Sequence, residues 1–310
     1  MNNTFFKPDS IKSGPGTASQ ETGSVKQWNN VSKIITYTAV IVLFCLAGGF
    51  AVAFADSHEA DGAEDPVVYL QFDYYVLQAG VAPEFVAMKE KFWKPVHEER
   101  IRDGAIIGWS LYDALIKGPT ADYDFVAITM TEDYGALYGA TDRDLIARVH
   151  PQRGTDPLIE TMHEGYRVVH SEIWRMNGAA LPEGADSPAG KYITKNYMDS
   201  RGASGEHESM ELDFWKPIHY VRIDQNILNS WVMYTKVKPG GSSIRYNYST
   251  IDYYDRLSDI EGSVGMELAR IAHPDLSDEQ LSDFFTRTSA SRTAYKTELW
   301  REVVAADRNP

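Results

Sequence analysis

The sequence predicts an α+β fold: two tandem strand–helix–strand–strand–helix–strand (βαββαβ) repeats that close an intramolecular barrel. Three observations predict it. A nonapeptide occurs twice, FWKPVHEER at 92–100 and FWKPIHYVR at 214–222, identical at six of nine positions. Other landmarks pair at nearly constant spacing, from 122 residues (Trp109 to Trp231) to 126 (Glu172 to Glu298). Each half also carries four strand signals and two helical stretches in the same order. A period this long is a duplicated domain rather than a solenoid, whose units run about 20–50 residues.

The 310 residues leave room for two ordinary domains, and 43% hydrophobic with 24% charged residues is the composition of a packed protein. The net charge is −14. An acidic chain without a basic run repels nucleic acid and anionic lipid, so neither is expected as a partner. The one cysteine, Cys45, lies in an apolar segment, which excludes disulfides and Cys-ligated metals from the body.

Residues 1–33 form a polar leader with Gly, Ser, Asn and four Lys. Residues 34–55 are uncharged and mostly apolar and end in Ala53-Phe54-Ala55, the small-x-small pattern that signal peptidase cuts. Cleavage after Ala55 is expected; the alternative is an uncleaved anchor, since about 20 apolar residues span a bilayer. Both place the body outside the cytoplasm, periplasmic or secreted, behind an acidic linker at 56–66.

The first repeat spans 67–178. A strand signal, VVYLQFDYYVLQ, starts at Val67. Phe85, Met88, Phe92 and Val96 then make one apolar helical stripe, which Pro95 should kink or restart because it lacks an N–H. Two further strands, AIIGWSLYDALI and YDFVAITMT, form a hairpin. A broken helical region reaches about Val168, and SEIWRM closes the unit. The Gly/Ala/Pro-rich stretch at 179–190 reads as a linker. The second repeat, 191–310, carries the series again, ending in TELWREV.

A unit in this order is the split βαβ, ferredoxin-like arrangement, with helices on one sheet face. Two such sheets can bury their open faces against each other. The chain therefore resembles the dimeric α+β barrel superfamily in a tandem form, across residues 67 to 305. The resemblance implies a class containing cofactor-free monooxygenases, haem-degrading and haem-peroxidising enzymes and small-molecule isomerases. Fold alone does not choose among these.

Trp93, His97 and Arg100 share one helical face by spacing, as do Trp215, His219 and Arg222. The expected catalytic set is His97, Arg100, His219 and Arg222, with His exchanging protons, Arg clamping an anion, and Trp93 and Trp215 stacking on a ligand. The alternative is that the face only packs helix on sheet. Glu98 and Glu99 beside His97 should raise its proton affinity, whereas Tyr220 and Val221 beside His219 should not. Trp109 and Tyr112, like Trp231 and Tyr234, fall on opposite strand faces, so one of each pair should face the barrel interior. Tyr74 and Tyr197 join them as expected ligand contacts. His150-Pro151 and His273-Pro274 read as turns.

His163, Glu164, His170 and Glu172 lack a regular metal-ligand spacing, and no metal is expected. No cofactor is expected either; haem, held through His97 or His170, is the alternative that the resemblance brings. No GxGxxG, GxxxxGK[ST], GxSxG or CxxC motif occurs. The expectation is an exported small-molecule-binding protein, a cofactor-independent monooxygenase- or isomerase-like enzyme at most. The alternatives are a non-enzymatic interaction or stress protein, with self-association open, and a haem-binding enzyme.

Overall fold

The computed structural model describes residues 67–119, 121–138, 143–152, 165–200, 202–241, 244–261 and 265–306. The leader, the apolar segment and the acidic linker lie outside these residues. So do His163 and Glu164. Among the described residues no helix is long and apolar enough to cross a membrane.

Eight antiparallel strands close into one barrel. They are β1 (Tyr69–Leu77), β2 (Gly108–Ile116), β3 (Phe125–Thr131), β4 (Tyr166–Ala180), β5 (Tyr192–Asp199), β6 (Ser230–Lys238), β7 (Tyr248–Tyr254) and β8 (Thr293–Ala306). Around the barrel the order is β1-β3-β2-β8-β5-β7-β6-β4. Both halves contribute the same local order, β4-β1-β3-β2 and β8-β5-β7-β6, and the long strands β4 and β8 seal the two seams against β6 and β2. Closure leaves none of these eight strands with an exposed edge, which removes the usual route to strand-to-strand aggregation for them.

Alternation sorts the side chains. Leu70, Phe72, Tyr74, Val126, Ile128, Trp174, Ile193, Tyr197, Val232, Tyr234, Ile251, Tyr253 and Trp300 form one buried cluster inside the barrel. Their out-of-phase neighbours Trp109, Leu111, Phe125 and Ala127 pack under the first-half helices. Trp231, Met233 and Tyr248 do the same in the second half.

The prolines of the nonapeptide act as expected, with an added feature. Helix α1 (Ala82–Met88) runs into a π-helical turn (Lys89–Trp93) before α2 (Lys94–Arg102), which has Pro95 at its start. In the second half α4 (Ser204–Ser209), a π turn (Met210–Trp215) and α5 (Lys216–Asp224) repeat the arrangement around Pro217. A π turn inserts one residue, which lets a helix pass a proline that can neither donate nor fit the preceding turn. His150, just after α3 (Arg143–Val149), donates from Nε2 to the Phe92 carbonyl at 2.9 Å and stacks on that ring. His273, after α6 (Met266–Ala272), does the same to Phe214. The His-Pro turns are thus anchors for the π turns.

α7 (Asp278–Ser291) begins with a Ser277–Gln280 capping box and lays Phe284 and Phe285 on Phe214. Two boundaries differ from the sequence expectation. Residues Tyr166–Val168 belong to strand β4 rather than to a helix, and β4 continues through Ala180 into the expected linker. The β4 pairing with β1 and β6 over 15 residues, which local pattern cannot anticipate, decides both.

Candidate ligand site in the barrel

The duplicated histidines lie between helix and sheet. His97 is buried, stacked on Trp109 at 4.4 Å, and its Nδ1 is 3.4 Å from Arg100 Nη1. His219 stacks on Trp231 at 4.7 Å and accepts from Arg222 Nη1 at 3.0 Å. An arginine can only donate, so in each pair Nδ1 accepts and the neutral ring keeps its proton on Nε2. Burial, and then the neighbouring arginine, holds both imidazoles well below their ordinary range. This corrects the expectation for His97. Glu98 pairs with Lys94, and Glu99 with Arg102 and Arg148, so neither carboxylate charges the ring. Arg222 also donates to Tyr254 Oη at 3.0 Å and lies 3.7 Å from Asp252. In both halves the Trp-His-Arg face thus lies between helix and sheet, its histidine held by a tryptophan stack and an arginine contact. Trp215 bonds Thr288 through Nε1, while the Trp93 Nε1 is buried without a partner.

The aromatic residues divide as alternation requires. Tyr112 and Tyr234 face the interior, Trp109 and Trp231 the helices. Tyr74 and Tyr197 meet inside the barrel, hydroxyl to hydroxyl at 3.2 Å.

One end of the interior is filled by a charged network. Glu172 accepts from Tyr74 (3.0 Å) and Trp174 (3.1 Å) on one oxygen and from Lys236 (2.5 Å) and Tyr246 (2.6 Å) on the other. Burial alone would raise its pKa, but Lys236, Lys195 and these bonds outweigh it and hold the carboxylate low. Glu298, the residue at the matching position of β8, accepts from Tyr123, Lys296 and the Gly118 amide. His170 covers this end, stacked on Tyr74 at 4.0 Å.

The other end is open. A cavity of about 370 Å³ enters the barrel there, beneath the 184–190 segment that crosses it as a strap. Its walls include Ser110, Tyr112, Tyr253 and Glu302, with Ile128 and Met130 as the apolar floor. Tyr112 Oη lies 3.5 Å from Glu302. The strap is tied by the Ala189 amide to Ser230 Oγ at 3.2 Å. Gly190 is required, because a Cβ there would stand 2.7 Å from the Tyr254 amide nitrogen. A larger, more open cleft of about 790 Å³ lies outside the barrel beside α1. Of the residues expected at a site, Tyr112 and Trp109 reach the cavity wall. Glu302 and Tyr253 were not anticipated. Inward alternation from Trp300 and Ile251 was the available signal, but it does not say which barrel end stays open.

No protein-family model matches the chain, and no curated protein matches it in sequence. Among solved structures, the chain is similar to a Lactobacillus acidophilus NCFM protein assigned as a monooxygenase, with 9% identity, 79% of this chain and 97% of that one covered, and TM-score 0.44. It is similar to an anthrone oxidase-like protein at 7% identity, 80% and 95% coverage and TM-score 0.43. A dye-decolorizing protein from V. cholerae matches at 10% identity, 75% and 92% coverage and TM-score 0.37. Likeness at this level carries no site residue, substrate or cofactor across.

Haem, held through His97 or His170, was the cofactor alternative; of these two, His170 stacks on Tyr74 at the filled end of the barrel, and His97 is buried between helix and sheet. The Nε2 atoms of His97, His219, His150 and His273 all carry protons. Neither the strap cavity nor the outer cleft has a histidine on its wall.

Proposed function

We propose that the protein is an exported small-molecule-binding member of the dimeric α+β barrel class, its two halves a tandem duplication, with the ligand held under the 184–190 strap. The observation that carries this reading is the cavity itself. About 370 Å³ lies within the size range of ligand pockets, roughly 300–1,000 Å³. Convergent hydroxyls and a carboxylate over an apolar floor are the usual composition of such a site. Asp186 and Glu302 line it, with no lysine or arginine in the described wall, so it favours a neutral or cationic organic molecule. If the ligand is turned over, Glu302 and Tyr112 are the proton acceptor and donor that touch it, without a cofactor.

Ligand retained by protein purified from its own host, identified by native mass spectrometry, tests the reading. A Ser110→Phe variant should lose that ligand while keeping its unfolding midpoint. Wild type without ligand, and unshifted in Tm by any of a panel of small amines and alcohols, would sink it. Amino-terminal sequencing of the mature protein tests export: a start at Asp56 is expected.

The rival is a non-enzymatic interaction or stress protein. It is favoured by the buried rings of Phe72, Trp174 and Trp300, which pack against one another inside the barrel. The same ligand search decides between them.

A further inference from the structure

Midway along the barrel the two halves place different side chains at matching positions. Phe72 pairs with Glu172 across β1 and β4, and Lys195 pairs with Glu298 across β5 and β8. Both point inward. Lys195 is fully buried, and its Nζ has no hydrogen-bond partner. The other inward lysines, Lys236 and Lys296, are each ion-paired with a glutamate. Around the Lys195 amine stand the rings of Phe72 (3.8 Å), Trp174 (4.4 Å), Tyr197 (5.0 Å) and Tyr234 (5.8 Å).

Packing does not explain this lysine. Its partner position is filled by phenylalanine, and leaving a buried polar group unsatisfied costs about 1–3 kcal/mol. Ring faces offset part of the loss of hydration of an ammonium. Burial still pulls the amine down to about 7, against the opposing pull of Glu172. Much of it is thus neutral near neutral pH, with a lone pair in a water-poor space. That is the state in which a lysine attacks carbonyl carbon.

We propose that Lys195 captures a small aldehyde or ketone as an imine inside the barrel. The nitrogen lone pair forms a C–N bond to the carbonyl carbon. The two protons of the amine leave with the carbonyl oxygen as water, and a C=N bond remains. No oxidant or reductant is consumed. The way in rests on the strap cavity proposed above: Tyr253 in its wall lies hydroxyl to hydroxyl with Tyr234 at 3.5 Å, and Tyr234 borders the amine. The amine's reactivity does not depend on that route.

The test uses the full chain, propanal as probe and cyanoborohydride at pH 7 to fix any imine as a propylamine, followed by peptide mass mapping. Lys195 should be propylated at least about tenfold faster than exposed Lys91. Lys195 left unmodified while Lys91 reacts overturns the proposal. Ser110→Phe should slow labelling of Lys195 and leave Lys91 unchanged. An unchanged Lys195 rate in that variant would uphold the amine and overturn the cavity as its entrance.

Discussion

His219 lies flat on Trp231, ring centroids 4.7 Å apart and planes 16° from parallel. His97 and Trp109 repeat the pair at 4.4 Å and 11°. Each imidazole is also the acceptor for an arginine one turn along its helix. Replacing His219 with Leu removes the acceptor of the buried Arg222 and should cost about 2–4 kcal/mol of stability. Urea midpoints measure this. A variant as stable as wild type would show that the stack is not structural.

Acid should destabilise the fold through its buried histidines. Burial, then Arg292, lowers His207 to about 4, and His97 and His219 shift the same way. Between the folded values and the ordinary value near 6.5 the unfolded chain binds more protons, so stability rises with pH across that window and falls on acidification. His207→Gln should flatten the dependence between about pH 6.5 and 4. An unaltered slope in urea titrations would contradict it.

Glu172 joins the seam between the halves, since its partners Lys236 and Tyr246 come from the second half and Tyr74 from the first. Glu172→Gln leaves the Lys236 ammonium without its counter-ion and should cost about 3–5 kcal/mol. Because the carboxylate is held below its ordinary value, its contribution is present above that value and disappears as pH falls through the folded one. The difference between wild type and variant, measured by denaturant unfolding, should therefore shrink at low pH.

Lys195→Met should stabilise the protein, and more at pH 6 than at pH 10. The folded value near 7 lies below the ordinary 10.5, so the penalty for the lysine is full below 7 and fades as pH rises toward 10.5. Its size is on the order of a few kcal/mol. Destabilisation at pH 6 would mean that the aromatic cage holds an ammonium comfortably.

Gly190→Ala should lift the strap, because the new Cβ meets the Tyr254 backbone at 2.7 Å rather than a side chain that can swing aside. Faster amide exchange over 184–190, with the barrel strands unchanged, is the expected pattern.

Much of the fold was legible. Phe85, Met88 and Phe92 mark a helix by spacing, and Tyr112 and Tyr234 turn inward because strand side chains alternate. The site was less legible. The Trp-His-Arg motif has the residue types of a catalytic face, yet its rings are spent on stacking and arginine contacts. Glu302, Tyr253 and Lys195 carry no motif, because each owes its role to strands far away in sequence.

By itself the sequence determined the order of the strands, the recurrence of the nonapeptide and that Trp109 and Tyr112, like Trp231 and Tyr234, point to opposite sheet faces. These follow from local periodicity and from residue types that recur. Tertiary structure alone decided which barrel end is filled and which is open, that His97 is neutral despite Glu98 and Glu99, and that Lys195 has no ion partner. Burial and distance set those outcomes, and both depend on pairings such as β2 with β8 that join residues nearly two hundred positions apart.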